Sequence, residues 1–192
     1  MLDRIDKPLV FLLCAAPFLW LVIRAFTGQL GANPIEAMTR GLGSWGLIIL
    51  LVTLCATPVR VLFKWPRVMR WRRMLGLFAF AYVALHVLSY AGLDHTFHWP
   101  TIWSDIVKRI YITIGLGGLL LLIPLAITST RGWMMRLGGK AWQNLHKLIY
   151  PAAILGVVHY FFLVKADISE PMLFAAALAV LLGWRLHRKL TR

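Results

Sequence analysis

The sequence predicts an all-α, polytopic membrane bundle of six transmembrane helices with both termini on the cytoplasmic side, and three observations predict it. The 192 residues are 60% hydrophobic and only 15% charged, with a mean hydropathy of +0.74, which leaves too little polar surface for a soluble domain of this length. The apolar residues fall into continuous runs near the ~20 residues that cross a ~30 Å hydrocarbon core, not into the alternation of a barrel strand. The cations gather in alternate connections between those runs.

The six runs are Pro8–Phe26, Gly41–Val59, Met74–Leu93, Ile110–Ile127, Leu145–Val164 and Pro171–Trp184. The N-terminal residues before the first run are short and of mixed charge, without a small-residue cleavage site, so the first run reads as an uncleaved span. The last run is the shortest, and Arg185 and Arg188 are expected to lengthen it by snorkelling. Arg4 and Lys7 precede the first run; Arg60, Lys64, Arg67, Arg70, Arg72 and Arg73 join the second to the third; Arg131, Arg136, Lys140 and Lys147 join the fourth to the fifth; Arg185, Arg188, Lys189 and Arg192 end the chain. Sixteen of the 21 cations therefore share one side, which the positive-inside rule makes cytoplasmic, while Glu36, Asp94, Asp105, Asp167 and Glu170 fall on the other.

This distribution also removes nucleic acid as the explanation of the +14 net charge, because the cations flank apolar runs and orient them in lipid instead of forming a basic arm. Cys14 and Cys55 lie inside apolar runs as free buried thiols, with no disulfide or zinc spacing. Trp65, Trp71, Trp99 and Trp103 sit where interfacial aromatic belts belong. The loops are short and free of repeats, so residues 1–192 form one domain.

Ionisable groups within a bilayer are functional candidates by default. His86, His146 and His159 lie in or at the ends of spans. Span three starts near Arg72 and span five near Leu145, both from the basic side, so His86 and His159 each lie 14 residues in, ~21 Å deep at ~1.5 Å per residue. Two imidazoles at equal depth on helices running the same way can take the iron of one macrocycle from opposite faces. For an isolated histidine a hydrogen bond to a neighbouring helix would be the better reading; the matched depth favours ligation. His146 lies ~20 Å below His159, room enough for a second haem, yet its counterpart on span three is Arg72 or Arg73, not a histidine. At about 100° per residue Arg72 returns nearly to the His86 face, whereas His146 and His159 are roughly 140° apart on a straight helix, unless Pro151 bends it. Two readings of His146 stand: ligand of a second haem, or a contact, with the arginines, to propionates or lipid phosphates. His95 and His98 read as a solvated or partner-facing loop pair in preference to a metal site, and His187 as solvated. Gly156, Gly115, Gly117 and Gly118 fit close approach by a flat ring, with helix packing as the plainer cause.

The run Arg72-Arg73-Met74-Leu75-Gly76, leading to Ala84-Leu85-His86, resembles the ferric-reductase-like transmembrane family, and so does the run from Leu137-Gly138-Gly139-Lys140 through Trp142-Gln143-Asn144-Leu145-His146 to Tyr150 with His159 beyond it. Within that family the chain is similar, over nearly its whole length, to the haem-binding membrane subunits of bacterial periplasmic methionine sulfoxide reductase systems. The resemblance implies b-type haem on His86 and His159, with His146 next, and a further haem left open. It also implies flavin mononucleotide (FMN), a periplasmic molybdopterin reductase (MsrP) as partner, and an inner-membrane location. The chain departs from the larger oxidases of the superfamily in two ways. It has no inner histidine on span three, and it shows no Gly-rich dinucleotide fingerprint after span six. The expectation is an electron-transfer subunit fed by a quinol or a cytoplasmic flavin reductase, with the reduction of methionine sulfoxide left to the partner. The rivals are a histidine-based transporter or proton relay without haem, which lacks the acids within spans that such relays use, and a haem-free assembly subunit.

Overall fold

The computed structural model describes residues 2–164 and 166–191, with side chains from Asp6 onward; Arg192 and the side chain of Arg4, counted with the basic end, lie outside the described residues. The chain is helical almost throughout, in the order α1 (Leu2–Phe26), α2 (Pro34–Leu62), a 3-10 turn (Pro66–Arg70), α3 (Arg72–Ser89) and a π-turn (Tyr90–Asp94). There follow α4 (Trp99–Lys108), α5 (Ile110–Ile127), α6 (Arg131–Leu137), α7 (Gly139–Leu145), a second 3-10 turn (His146–Leu148), α8 (Ile149–Leu163) and α9 (Ser169–Leu190). Six segments are long and apolar enough to cross a membrane, in the six places expected. Several run past the apolar runs, most of all α2, whose 29 residues begin after an Asn33 cap with Pro34 in the first helical position. The Asn33 side chain accepts from Glu36 N–H at 3.3 Å, satisfying a donor that the helix leaves open.

α2 is the central helix: half of its apolar window is buried, against 11–22% for the other five. It packs along α3, and α5 packs along α8; these are the two longest interfaces of the bundle. Leu47, Leu50 and Leu54 of α2 meet Leu75, Ala79 and Tyr82 of α3, with Ala152, Ala153 and Val157 of α8, in one continuous core. The outward faces of α1 and α9 are rich in exposed leucine and aromatic side chains, the surface that lipid would solvate.

Near two of the helix prolines, polar side chains from other helices bond to the main chain. Pro58 has no N–H to give to the carbonyl of Leu54 four residues back. The Arg185 guanidinium of α9 supplies the donor instead, at 2.5 Å, and also donates to Leu181 O at 3.3 Å. Arg185 therefore turns inward rather than snorkelling as expected, because a freed main-chain carbonyl in the bundle outcompetes the interface. In α1, next to Pro17, the Tyr82 hydroxyl donates to Cys14 O and accepts from Phe18 N–H, both at 2.8 Å. Cys14 and Phe18 are an i, i+4 pair, so the phenol bridges a turn of the ladder from outside.

The acidic side of the bundle carries α4, a ten-residue amphipathic helix in what read as a loop. Ile102 and Asp105 face inward, while Trp99, Trp103 and Val107 are each 68% exposed. An exposed apolar face opposite a packed one is the pattern of a helix suited to a membrane interface, and Trp99 and Trp103 lie on that exposed face.

Candidate functional site

His86 projects from α3 and His159 from α8, and the bundle brings the two rings together with centroids 6.1 Å apart and planes at 77°. Each ring is held from behind. His86 Nδ1–H donates to the main-chain carbonyl of Thr39 on α2 at 2.8 Å, and His159 Nδ1–H donates to the carbonyl of Tyr111 on α5 at 2.6 Å. A carbonyl oxygen can only accept, so these bonds fix the proton on Nδ1 and leave each Nε2 lone pair free in the neutral ring.

The same device is built twice. Thr39 is followed four residues later by Gly43, and Tyr111 by Gly115. In a helix the carbonyl of residue i points along the groove toward residue i+4. A Cβ on Gly43 would stand 3.0 Å from His86 Nδ1, and one on Gly115 would stand 2.7 Å from His159 Nδ1. Each glycine is the opening through which an imidazole reaches the carbonyl. Gly115 therefore serves a ring and not helix packing alone, whereas Gly117 and Gly118 do pack against α8 and Gly156 lies against Leu47. Gly43 was not singled out in the sequence. The signal that could have found it is its relation to Thr39, matched by Gly115 and Tyr111.

The spacing of the rings can be tested against a metal between them. An imidazole nitrogen sits about 2.0–2.1 Å from a first-row metal ion, and Nε2 lies a little over 1 Å from the ring centre, so two ligands on opposite sides have centroids about 6.3 Å apart. The observed 6.1 Å fits. The acceptors behind the rings are the outer hydrogen-bond partners that metal-bound histidines characteristically have.

His146 stands elsewhere. It opens the 3-10 turn before α8, so the regular 100° step between it and His159 does not apply there. Its ring stacks on Trp142 at 3.9 Å, and Nε2 lies 3.1 Å from the Thr128 hydroxyl, which itself donates to Pro124 O. Trp142 Nε1 donates to Thr128 O at 2.9 Å, closing the group. Arg72 is the charged neighbour of this ring, and no second histidine faces it among the described residues.

The side of the site toward α4 is closed by a polar network. Asp105 of α4, 8% exposed, accepts from the Tyr90 hydroxyl at 3.0 Å and from Arg109 Nε at 3.2 Å. Arg109 Nη1 donates to the Tyr111 hydroxyl at 3.2 Å, and that bond, with Asp105 adding to it, holds the guanidinium above its ordinary pKa. The carbonyl of the same Tyr111 receives His159. Of the two readings of His95, solvated or partner-facing, the structure removes the first by drawing the ring into the network: its Nε2 is 3.5 Å from Asp105 and 3.6 Å from Asp94, and its ring lies edge-on to Tyr90. His98 does sit at the exposed edge, against the Thr101 hydroxyl.

Six helices long and apolar enough to span a membrane, with two inward histidines on separate spans, make a transmembrane bundle, and residues 41–157 match the family described as "Ferric reductase like transmembrane component". Curated relatives match along nearly the whole chain. The "Protein-methionine-sulfoxide reductase heme-binding subunit MsrQ" of Rhodospirillum rubrum is 60% identical over 96% of this chain and 88% of its own length. The protein of the same description from Caulobacter vibrioides is 53% identical over 95% and 87%, and that of Azospira oryzae 48% identical over 96% and 79%. The chain belongs to the MsrQ branch of the ferric-reductase-like transmembrane family and is a multi-pass membrane protein.

Proposed function

We propose that this protein is the membrane electron-transfer subunit of a methionine sulfoxide reductase system, binding one b-type haem through His86 and His159. The observation that carries the reading is the pair of imidazoles from separate helices with centroids 6.1 Å apart, each with Nδ1–H committed to a main-chain carbonyl. The descriptions of the relatives as haem-binding subunits support it. Bound haem supplies a reversible one-electron iron couple.

The protein's own part is orientation and electrostatics. Thr39 O and Tyr111 O hold the rings in the ligating tautomer and raise their basicity, while Gly43 and Gly115 admit them. The apolar surround keeps the dielectric low, one of the levers that sets a haem potential. Electrons would enter at the basic, cytoplasmic side from a quinol or a flavin reductase and leave at the outer side to MsrP, where methionine sulfoxide is reduced. The location is the inner membrane, and FMN is a second cofactor on the family resemblance. Arg72 and His146 flank the inner end of this path and complete the candidate cofactor-binding set.

The test is the visible spectrum of the detergent-purified protein. A Soret band that shifts on reduction and is lost in His86→Ala and in His159→Ala supports the proposal. A colourless but folded preparation would sink it and favour histidine-based transport.

A further inference from the structure

Ser89, the last residue of α3, is buried at 6% exposure, and its hydroxyl lies 2.6 Å from the Thr39 hydroxyl on α2. Hydroxyls in and at the ends of helices commonly bond back to a carbonyl of their own helix. Thr27, Thr53, Thr128 and Ser129 do so here, each to the carbonyl four residues earlier. A hydroxyl has one proton, so at least one member of the Thr39–Ser89 pair spends it on the other span.

The same threonine serves the candidate site. Thr39 O accepts from His86 Nδ1–H at 2.8 Å, and His86 lies three residues before Ser89 on α3. Two neighbouring points on one face of α3 therefore hold two atoms of a single residue of α2. One hydrogen bond sets a distance; the second also fixes how α2 is turned at this level, and with it the aim of the Thr39 carbonyl. The gap into which that carbonyl points is narrow, since a Cβ on Gly43 would stand 3.0 Å from His86 Nδ1. Behind His159 the corresponding tie is longer: Tyr111 joins Arg109, Asp105 and then Tyr90, the residue after Ser89.

We propose that Ser89 is a positioning residue for His86, acting through the Thr39 hydroxyl to keep the Thr39 carbonyl on Nδ1–H. That hold sets two properties of the ring: the share of the tautomer that leaves Nε2 free as a ligand, and the basicity of that ligand. A more basic axial imidazole favours ferric iron, so loosening the bond raises the reduction potential. The redox consequence rests on the haem reading above; the tautomer does not.

The experiment uses the full chain in detergent. Ser89→Ala and Thr39→Val each delete one hydroxyl of the pair and leave every carbonyl in place, whereas Thr39→Ser keeps it. In spectroelectrochemical titration the first two are expected to shift the one-electron equilibrium about threefold toward the reduced form, about 30 mV upward at 59 mV per tenfold. The double variant should go no further than either alone, and Thr39→Ser should stay at the wild-type value. The second readout needs no haem: nitrogen-15 shifts of the histidine rings in chain from haem-deficient cells, with His86 assigned by its loss in His86→Ala. The Nε2–H share of His86 should rise about fivefold in Ser89→Ala, the weight of one ordinary hydrogen bond. Tyr90→Phe, which breaks the adjacent bond to Asp105, should leave that share unchanged.

Circular dichroism and the elution profile report folding. Should Ser89→Ala misfold, Thr39→Val carries the test; should the haem-free chain misfold, the potential does. A colourless preparation would defeat the haem reading and leave the tautomer to decide this one. A lower melting temperature in the folded variants, with the potential or the tautomer share as in the wild type, overturns the proposal, because a merely structural bond would do no more. An equal tautomer change in Tyr90→Phe overturns it as well.

Discussion

Gly115 stands where any side chain would collide with His159: a Cβ there would lie 2.7 Å from the imidazole Nδ1 that reaches past it to Tyr111 O. Alanine within a helix ordinarily gains about 1 kcal/mol over glycine. Here that gain opposes overpacking, which costs about 1–3 kcal/mol, and the loss of the Nδ1 bond, about 1 kcal/mol more. Gly115→Ala is therefore expected to lower haem per chain without unfolding the bundle, read as Soret absorbance per mole of protein. Gly43→Ala, at 3.0 Å, should show a smaller loss, and Gly117→Ala, whose Cβ would meet Leu155 at an ordinary 3.5 Å, none. Equal haem content in all three variants would refute the role assigned to the glycines.

The two histidine environments make opposite predictions. Substituting His146 removes a ring stacked on Trp142 and bonded to Thr128, but leaves the His86–His159 pair untouched. His146→Ala is expected to retain the Soret band at wild-type intensity, and to lose about 1 kcal/mol of stability from the broken hydrogen bond and stacking. A halved Soret intensity in this variant would mean that a second haem depends on His146.

Much of this arrangement was legible in the sequence, and the misses have physical causes. The six spans follow from apolar length alone, and the common depth of His86 and His159 follows from the helical rise. Their facing does not, because it depends on which neighbouring helix offers a carbonyl and a gap; Thr39 with Gly43 and Tyr111 with Gly115 become partners only in the packed bundle. The start of α2 is not legible because the Asn33–Pro34 cap lies outside the apolar run, nor is α4, because an amphipathic helix carries no continuous run. Arg185 was expected at the interface since no sequence rule links it to Pro58, 127 residues away, whose missing N–H frees the Leu54 carbonyl.

Tyr82 offers a test of the fold apart from the cofactor. Its hydroxyl, on a side chain 2% exposed, is both donor to Cys14 O and acceptor from Phe18 N–H. Tyr82→Phe keeps the ring but leaves two main-chain groups of α1 to re-pair with each other or go unsatisfied in an apolar setting. The expected cost is about 1–3 kcal/mol, seen as a lower melting temperature in detergent with the haem spectrum unchanged. An unshifted melting curve would show that the α1 ladder closes on itself.

Asp105 tests how the outer cap is held to the site. Its carboxylate joins Tyr90 on the π-turn, Arg109 before α5 and His95 in the loop, and through Arg109 it reaches Tyr111, the residue behind His159. Arg109 is 53% exposed, so the ion pair itself is largely screened; the weight rests on the buried acceptor. Asp105→Asn preserves the shape but exchanges an acceptor-only group for one whose amide presents donors to Arg109 and His95. A loss of about 1–2 kcal/mol is expected, localised to residues 90–111 as faster amide hydrogen exchange. Spans distant from the cap, α1 and α9 among them, should exchange as in the wild type. A uniform rise across the bundle would show instead that Asp105 supports the whole fold, and no change would show that the cap is held by α4's apolar face alone.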